Sequence, residues 1–253
     1  MIQPSPGVPT WIDLATADLP DATRFYTELF GWEADVSGDE YGGYTTFRLD
    51  GHAAAGAGPL FGKGQPTAWS TYVATDDADA VADRVEAAGG KVLVAPFDVM
   101  YQGRMAAFLD PGGAPFSVWQ PGSMRGAEVF DVPGALTWNE LATRDAERAA
   151  AFYGAVFGWL GREISVGGRP YLAWELGGEI VAGMRVLDGS WPADLPPHWM
   201  VYFSVIDCAE AAGYAGSLGG RVLRAPASLP IGRCALLEDP QGGAFALLQS
   251  ASS

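Results

Sequence analysis

The amino-acid sequence predicts an α+β fold, built as two tandem copies of one unit in which strands outnumber helices. Three observations carry this. The chain repeats itself over nearly its whole length. Each copy holds two segments with helical apolar spacing, opened by an acidic residue and closed by glycine. Short strand-like runs surround each helix in an order that recurs four times.

The repeat can be read directly. TWIDLATADLPDATRFYTELFGW (10–32) matches TWNELATRDAERAAAFYGAVFGW (137–159) at an offset of 127 residues. The match continues through Tyr44 and Tyr171, Gly51 and Gly178, and Gly56 and Gly183. After a connection of unequal length, WSTYVATDDADA (69–80) matches WMVYFSVIDCAE (199–210), and GGKVLVAP (89–96) matches GGRVLRAP (219–226), at an offset of 130. One deletion later, GRMAAFLDPGGAPFSVWQ (103–120) matches GRCALLEDPQGGAFALLQ (232–249). The junction falls in PGSMRGAEVFDVPG. The expected domains are therefore 1–121 and 134–253, joined by a linker at 122–133.

Each copy has an inner rhythm. A strand over 10–17 leads to Asp18 and a helix over 20–30, where Ala22, Phe25, Tyr26 and Phe30 fall on one face. Asp18 and Asp145 suit N-caps, because a carboxylate accepts the orphan N–H groups of a first turn. Gly31 and Gly158 suit left-handed C-caps. Strands are expected over 32–37, 43–50 and 53–58. The order then recurs: strand 68–75, Asp76-Asp77, helix 78–88, Gly89-Gly90, and strands near 91–96, 102–109 and 114–120. One copy is thus βαβββ–βαβββ.

Composition limits the partners. Hydrophobic residues make up 49% of the chain, enough for a substantial core. The net charge is −15, and only Lys63 and Lys91 among the fifteen basic residues are lysine. Nucleic acid and anionic membrane surfaces would be repelled, so neither is an expected partner. MIQPSPGVPT lacks the basic and apolar regions of a signal peptide, and no apolar run approaches the ~18 residues of a membrane span. A cytoplasmic, soluble chain is expected. Cys208 and Cys234 have no metal-ligand spacing and read as reduced thiols.

A strand ending in Asp, then FYTELFGW or FYGAVFGW, and later a DP–Gly segment ending in Gln, resembles the glyoxalase / bleomycin-resistance / extradiol-dioxygenase superfamily, also called vicinal oxygen chelate (VOC) proteins. The likeness covers 9–121 and 134–250. TWxxLAT in both copies is similar to a tandem, two-domain actinobacterial group labelled glyoxalase-like or hydroxylase-like. The resemblance implies that each copy wraps its two βαβββ modules into a curved sheet around a cavity for metal, substrate or drug. Single-copy members of the family dimerise to complete a site, so the tandem implies a monomer or a homodimer.

The family's metal ligands are His, Gln or Glu at set places on the first, fourth, fifth and eighth strands, where lone pairs converge on a divalent ion. The first-strand place is Trp11 in copy one and Trp138 in copy two. An indole has a donor N–H and cannot ligate. The fifth-strand place is Ser70 and Met200, and the eighth-strand place is Ser117 and Ala246. The fourth strands, AAAGAG and IVAGMR, offer no carboxylate. His52 and His198 read as surface or hydrogen-bonded imidazoles. No metal and no cofactor are expected, which argues against the metal-dependent glyoxalase and dioxygenase chemistry of the family.

Strand side chains alternate faces. If Trp11 faces the cavity, so do Asp13 and Ala15, with Ile12, Leu14 and Thr16 under the helix. In copy two Trp138, Glu140 and Ala142 face in, and Asn139, Leu141 and Thr143 face the helix. Tyr72 and Tyr202 point in from the fifth strands. Pro115, Ser117 and Trp119 do so from the eighth strand of copy one, against Ala244, Ala246 and Leu248 in copy two. Such walls suit an aromatic or hydrophobic small molecule stacked on flat rings, with Trp11, Tyr72, Ser117, Trp119, Trp138 and Tyr202 as ligand-binding residues. Desolvation would raise the pKa of Asp13 or Glu140 and suit either to acid–base catalysis. In the competing reading the indoles plug the cavity, and the carboxylates pair with a Tyr hydroxyl or with Arg104 or Arg233. Copy one, with Ser117 and Trp119, is expected to be the better site.

GAGPLFGKG (56–64) lacks the setting of a phosphate loop and reads as a connection or lid. GSWPADLPPHW (189–199) is its proline-stiffened counterpart. Four functional readings follow. The first is metal-independent binding, for resistance by sequestration or as an accessory to secondary metabolism. The second is a lyase, isomerase or hydroxylase-like enzyme using Asp13 or Glu140. The third is a metal-dependent glyoxalase or dioxygenase. The fourth is an interaction protein with vestigial cavities.

Overall fold

The computed structural model describes residues 5–38, 42–60, 62, 64–166, 169–229 and 232–250. Copy one contains β1 (Pro9–Thr16), α1 (Leu19–Phe30), β2 (Glu33–Val36), β3 (Thr45–Leu49), β4 (His52–Pro59), β5 (Ala68–Ala74), α2 (Ala78–Ala87), β6 (Lys91–Val99), β7 (Gly103–Leu109) and β8 (Pro115–Pro121). Copy two repeats them as β9 (Leu136–Thr143), α3 (Ala146–Phe157), β10 (Leu160–Val166), β11 (Arg169–Leu176), β12 (Glu179–Val186), β13 (His198–Ser204), α4 (Cys208–Ser217), β14 (Arg221–Leu229), β15 (Gly232–Glu238) and β16 (Ala244–Ser250). There are two mixed eight-stranded sheets, ordered β2-β3-β4-β1-β5-β8-β7-β6 and β10-β11-β12-β9-β13-β16-β15-β14. The copies keep one register: Asp13 faces Gly56 across β1 and β4, and Glu140 faces Gly183 across β9 and β12.

The helix ends follow their local chemistry. The Asp21 N–H donates to Asp18 Oδ1 at 3.0 Å, and the Arg148 N–H to Asp145 Oδ1 at 3.0 Å. Gly31 and Gly158 close α1 and α3 at φ 70° and 74°, a left-handed conformation that costs glycine little. The strand expected to stop at 96 instead runs to Val99 as β6. Pro96 has no N–H to give, but β6 is an edge strand and its ladder shifts register between Val94 and Phe97. Pro226 sits in the matching shift of β14, between Arg224 and Ala227.

Two compact units make up the chain, and each takes one half of each copy. The first comprises 1–11, 71–126 and 139–199. The second comprises 12–70, 127–138 and 200–253. The core of the second unit packs Ile12, Leu14, Phe25 and Tyr26 of copy one against Phe203, Leu237 and Phe245 of copy two. The core of the first packs Val81, Phe108 and Phe116 of copy one against Leu141, Phe152, Tyr153 and Trp174 of copy two. Ile12, Leu14 and Leu141 lie in these helix-side cores, as strand alternation predicts.

The family motifs are built into these cores. In the second unit, Trp69 Nε1–H donates to the Tyr26 hydroxyl at 2.9 Å, and Tyr26 donates to Asp239 Oδ2 at 3.0 Å. The Gly243 N–H holds the other carboxylate oxygen at 2.7 Å. The first unit repeats the relay: Trp199 to Tyr153 at 2.9 Å, Tyr153 to Asp110 at 3.2 Å, and the Ala114 N–H to Asp110 at 2.9 Å. Gly90 and Gly220 let the preceding aromatics approach closely. A Cβ on Gly90 would stand 2.9 Å from the Phe152 ring, and one on Gly220 would stand 3.1 Å from Phe25. The Trp of each FGW also anchors backbone, Trp32 to the Gly134 carbonyl at 2.9 Å and Trp159 to the Gly7 carbonyl at 2.7 Å.

Candidate functional site

The face of each sheet away from the helices carries the predicted site residues. In copy one, register lines join Tyr72, Ser117 and Ala107, and beside them Trp119, Met105 and Phe97. Trp119 is fixed in place. Its Nε1–H donates to the Met124 carbonyl at 2.8 Å. Gly103 has no side chain, and a Cβ there would come within 2.5 Å of the Trp119 ring. Trp11, Tyr72, Ser117 and Trp119 are each no more than 5% exposed, so this wall is packed. Asp13 is half-buried on β1. Phe61 and Lys63, in the expected lid of copy one, lie outside the described residues.

In copy two, Met200, Tyr202, Ala246 and Leu248 form one apolar cluster, with Trp138 packed against it. Glu140 belongs to a different arrangement. It is 4% exposed, and a buried carboxylate requires partners. The Tyr171 hydroxyl donates to Oε2 at 2.7 Å and Arg185 Nε donates to Oε1 at 2.7 Å. The Arg185 side chain remains 32% exposed, with its guanidinium carbon 5.7 Å from the centre of the Trp191 ring. Trp191 comes from the proline-rich connection, which Arg144 pins by donating to the carbonyls of Leu187, Pro192 and Leu195.

For Glu140 the expected Tyr hydroxyl is Tyr171, and the arginine is Arg185 rather than Arg104 or Arg233. Arg104 is engaged by Asp79 and Asp98, at 2.8 and 2.9 Å, while Glu140 pairs with Arg185. Strand order is the reason: β12 lies beside β9, and its parallel register sets Arg185 opposite Ala142, one pleat from Glu140. Neither Arg185 nor Trp191 was singled out from the sequence. The repeat carried the signal, since the offset of 127 places Arg185 against Gly58. A cation in one copy where the other has glycine marks a difference between the two faces. Equivalent places differ in burial in both directions: Trp138 is half-buried where Trp11 is buried, Asp13 is half-buried where Glu140 is buried, and Tyr72 and Tyr202 are both buried.

The metal positions can be tested against this geometry. Among the described residues no three of His, Cys, Asp and Glu form a group that could hold an ion. Indoles occupy the first-strand places. Glu140, two residues after Trp138 on β9, has both oxygens hydrogen-bonded to protein donors. His198 Nδ1 lies 2.9 Å from the Pro196 carbonyl oxygen. The residues at these positions do not fit the family's ion.

Tandem βαβββ pairs in two eight-stranded sheets, with a face away from the helices lined by aromatic residues, define a VOC-fold protein. The chain belongs to the Glyoxalase/Bleomycin resistance protein/Dioxygenase superfamily, whose model matches residues 9–118 and 135–247. It is 42% identical to the Anthracycline biosynthesis protein DnrV of Streptomyces peucetius over 97% of this chain and 94% of that protein. In fold it is similar to the Mn(II)-bound glyoxalase from Novosphingobium aromaticivorans, with a TM-score of 0.64, 16% identity, and coverage of 98% of this chain and 84% of the other. It is similar also to the 2,3-dioxygenase LapB from Pseudomonas sp. KL28, with a TM-score of 0.65, 13% identity, and coverage of 99% and 94%. No helix among the described residues is long and apolar enough to cross a membrane.

Proposed function

We propose that this protein binds a planar aromatic or hydrophobic small molecule on the aromatic faces of its sheets, without a divalent metal. It serves to sequester that molecule or as an accessory to its biosynthesis. One observation carries the reading: an indole stands at the first metal-ligand place in both copies, and the carboxylate two residues on is, in copy two, already paired with Arg185 and Tyr171. Flat rings flanked by a few fixed polar groups recognise flat ligands. The similarity to a protein of anthracycline biosynthesis over nearly its whole length supports a polycyclic aromatic as the ligand. On this reading Trp11, Tyr72, Ser117, Trp119, Trp138 and Tyr202 line the binding faces.

The test is fluorescence titration with a panel of polycyclic aromatics, together with metal analysis of the purified protein. Saturable quenching that weakens in Trp11→Phe or Trp138→Phe is expected, with metal well below one ion per chain. Stoichiometric zinc, nickel, manganese or iron would overturn the metal-free reading. A second reading, an acid–base enzyme, rests on Asp13. Both oxygens of Glu140 already accept from protein donors, Arg185 and Tyr171, so this reading places the proton transfer on Asp13. If Asp13→Asn keeps ligand affinity but abolishes turnover of a bound compound, the enzyme reading takes precedence.

A further inference from the structure

The two units differ where a helix of one copy ends against a helix of the other. In the first unit, Arg84 of α2 donates from Nε to the Val156 carbonyl in the last turn of α3, at 2.9 Å. Last-turn carbonyls have no partner within their own helix, and together they make a partly negative end that favours a cation. α3 carries no basic residue in that turn, so Arg84 supplies the cation from α2. In the second unit the matching pair is α1 and α4. The repeat offsets set Leu29 at the place of Val156 and Tyr214 at the place of Arg84. α1 likewise carries no basic residue in its last turn. At this place the second unit has a cavity of about 280 Å³, with Leu29, Phe30, Ile206, Asp207, Glu210 and Tyr214 in its walls. Glu210 stands where copy one has Ala80. The second unit thus gains a carboxylate where it lacks the guanidinium.

We propose that this cavity binds a small organic cation, a planar amidinium or guanidinium head on an apolar body, in the place that Arg84 fills in the first unit. The acceptors are the last-turn carbonyls of α1 and the exposed carboxylate of Glu210. Asp207 is less available, since its carboxylate caps α4 through the Ala209 and Glu210 N–H groups and feels the charge of Arg233. The Tyr214 ring, 46% exposed, offers a face to a planar cation. Leu29, Phe30 and Ile206 give the apolar body a wall. An anion would meet the negative end of α1 and two carboxylates. The cavity is close in size to the ~300 Å³ at which small-ligand sites begin, which favours a free small molecule over a chain segment. A second copy of the chain, at −15, is repelled. The cavity lies between two helices, so it draws neither on the aromatic sheet faces nor on the binding role proposed for them.

The test follows backbone amide shifts of the full chain by heteronuclear NMR during titration with benzamidine, with benzamide and benzoate as the neutral and anionic controls. Benzamidine is expected to give saturable shifts at Leu29, Glu210 and Tyr214, and to bind roughly tenfold more tightly than either control. Tyr214→Arg rebuilds the contact of the first unit. It should abolish those shifts and raise the melting temperature by about 1–3 °C. Glu210→Lys changes an exposed helix position and leaves the apolar wall in place. It should also abolish binding, and it serves as the test if Tyr214→Arg does not fold by circular dichroism. No saturable shift at these residues, equal affinity for benzamide, or undiminished binding by a folded variant would each overturn the proposal. If N-acetyl-arginine amide shifts these amides and benzamidine does not, the cavity takes an arginine of a partner protein, and the small-molecule assignment falls.

Discussion

Tyr26 and Tyr153 show how much one hydroxyl can organise. Each accepts from a buried indole and donates to a buried aspartate. Tyr153→Phe would strand the Trp199 N–H and one oxygen of Asp110, at a cost of about 1–3 kcal/mol for each orphaned group. Urea denaturation of Tyr153→Phe and Tyr26→Phe should show it as a lowered midpoint with an unchanged slope. The aspartates add a pH signature. Burial, opposed by backbone N–H donors, holds Asp110 and Asp239 above the ordinary carboxylate pKa of 3.8. The folded chain therefore binds these protons more tightly than the unfolded chain. That contribution is fully present below the ordinary carboxylate range and is lost as pH rises through the raised values. Asp239→Asn should accordingly compare worse with wild type at acid pH than at neutral pH, as followed by thermal melts across that range. Equal differences at both pH values would contradict this assignment.

At the scale of elements, helix ends, strand alternation and glycine positions obey local rules. Asp145→Ala removes the acceptor for the Arg148 N–H and should cost about 1 kcal/mol. Gly103→Ala on β7 has a different cause: its Cβ would meet the Trp119 ring at 2.5 Å and the Gln120 carbonyl at 2.6 Å. Overpacking of this kind costs about 1–3 kcal/mol, and the strain should also shift the tryptophan emission, a change Asp145→Ala would not produce. β6 was harder to read because proline usually ends a strand. Its continuation past Pro96 depends on its place at the sheet edge, which the chain does not announce locally. The 189–199 connection was legible as stiff, but its Trp191 stacking on Arg185 was not.

For the whole molecule, the sequence repeat and the compact units divide the chain differently. Each unit draws on both copies, so a chain cut after Gly126 leaves every core half-covered in either piece. Fragments 1–126 and 127–253 expressed together should co-purify and melt cooperatively. Expressed apart, each should aggregate or self-associate to hide apolar surface. A monomeric fragment 1–126 with a cooperative melt of its own would refute this. The same division explains why FYxxxFGW and DP–Gly occur together: the tyrosine of one motif bonds the aspartate of the other copy, 213 residues away for Tyr26 and Asp239.

The amino-acid sequence by itself determined the α+β class, the twofold repeat, the helix caps, the faces of β1 and β9, and the indoles at the metal-ligand places. These are local properties, expressed as period, spacing and residue type within a few turns or pleats of chain. Tertiary structure alone decided which distant groups meet: Tyr171 and Arg185 on Glu140, Trp191 on Arg185, and the aspartate of one copy on the tyrosine of the other. A hydrogen bond between residues tens to hundreds of positions apart leaves no period in the chain. It exists only once strand order brings a donor within about 3 Å of its acceptor, and here that order brings Tyr171 and Arg185 to the predicted carboxylate Glu140.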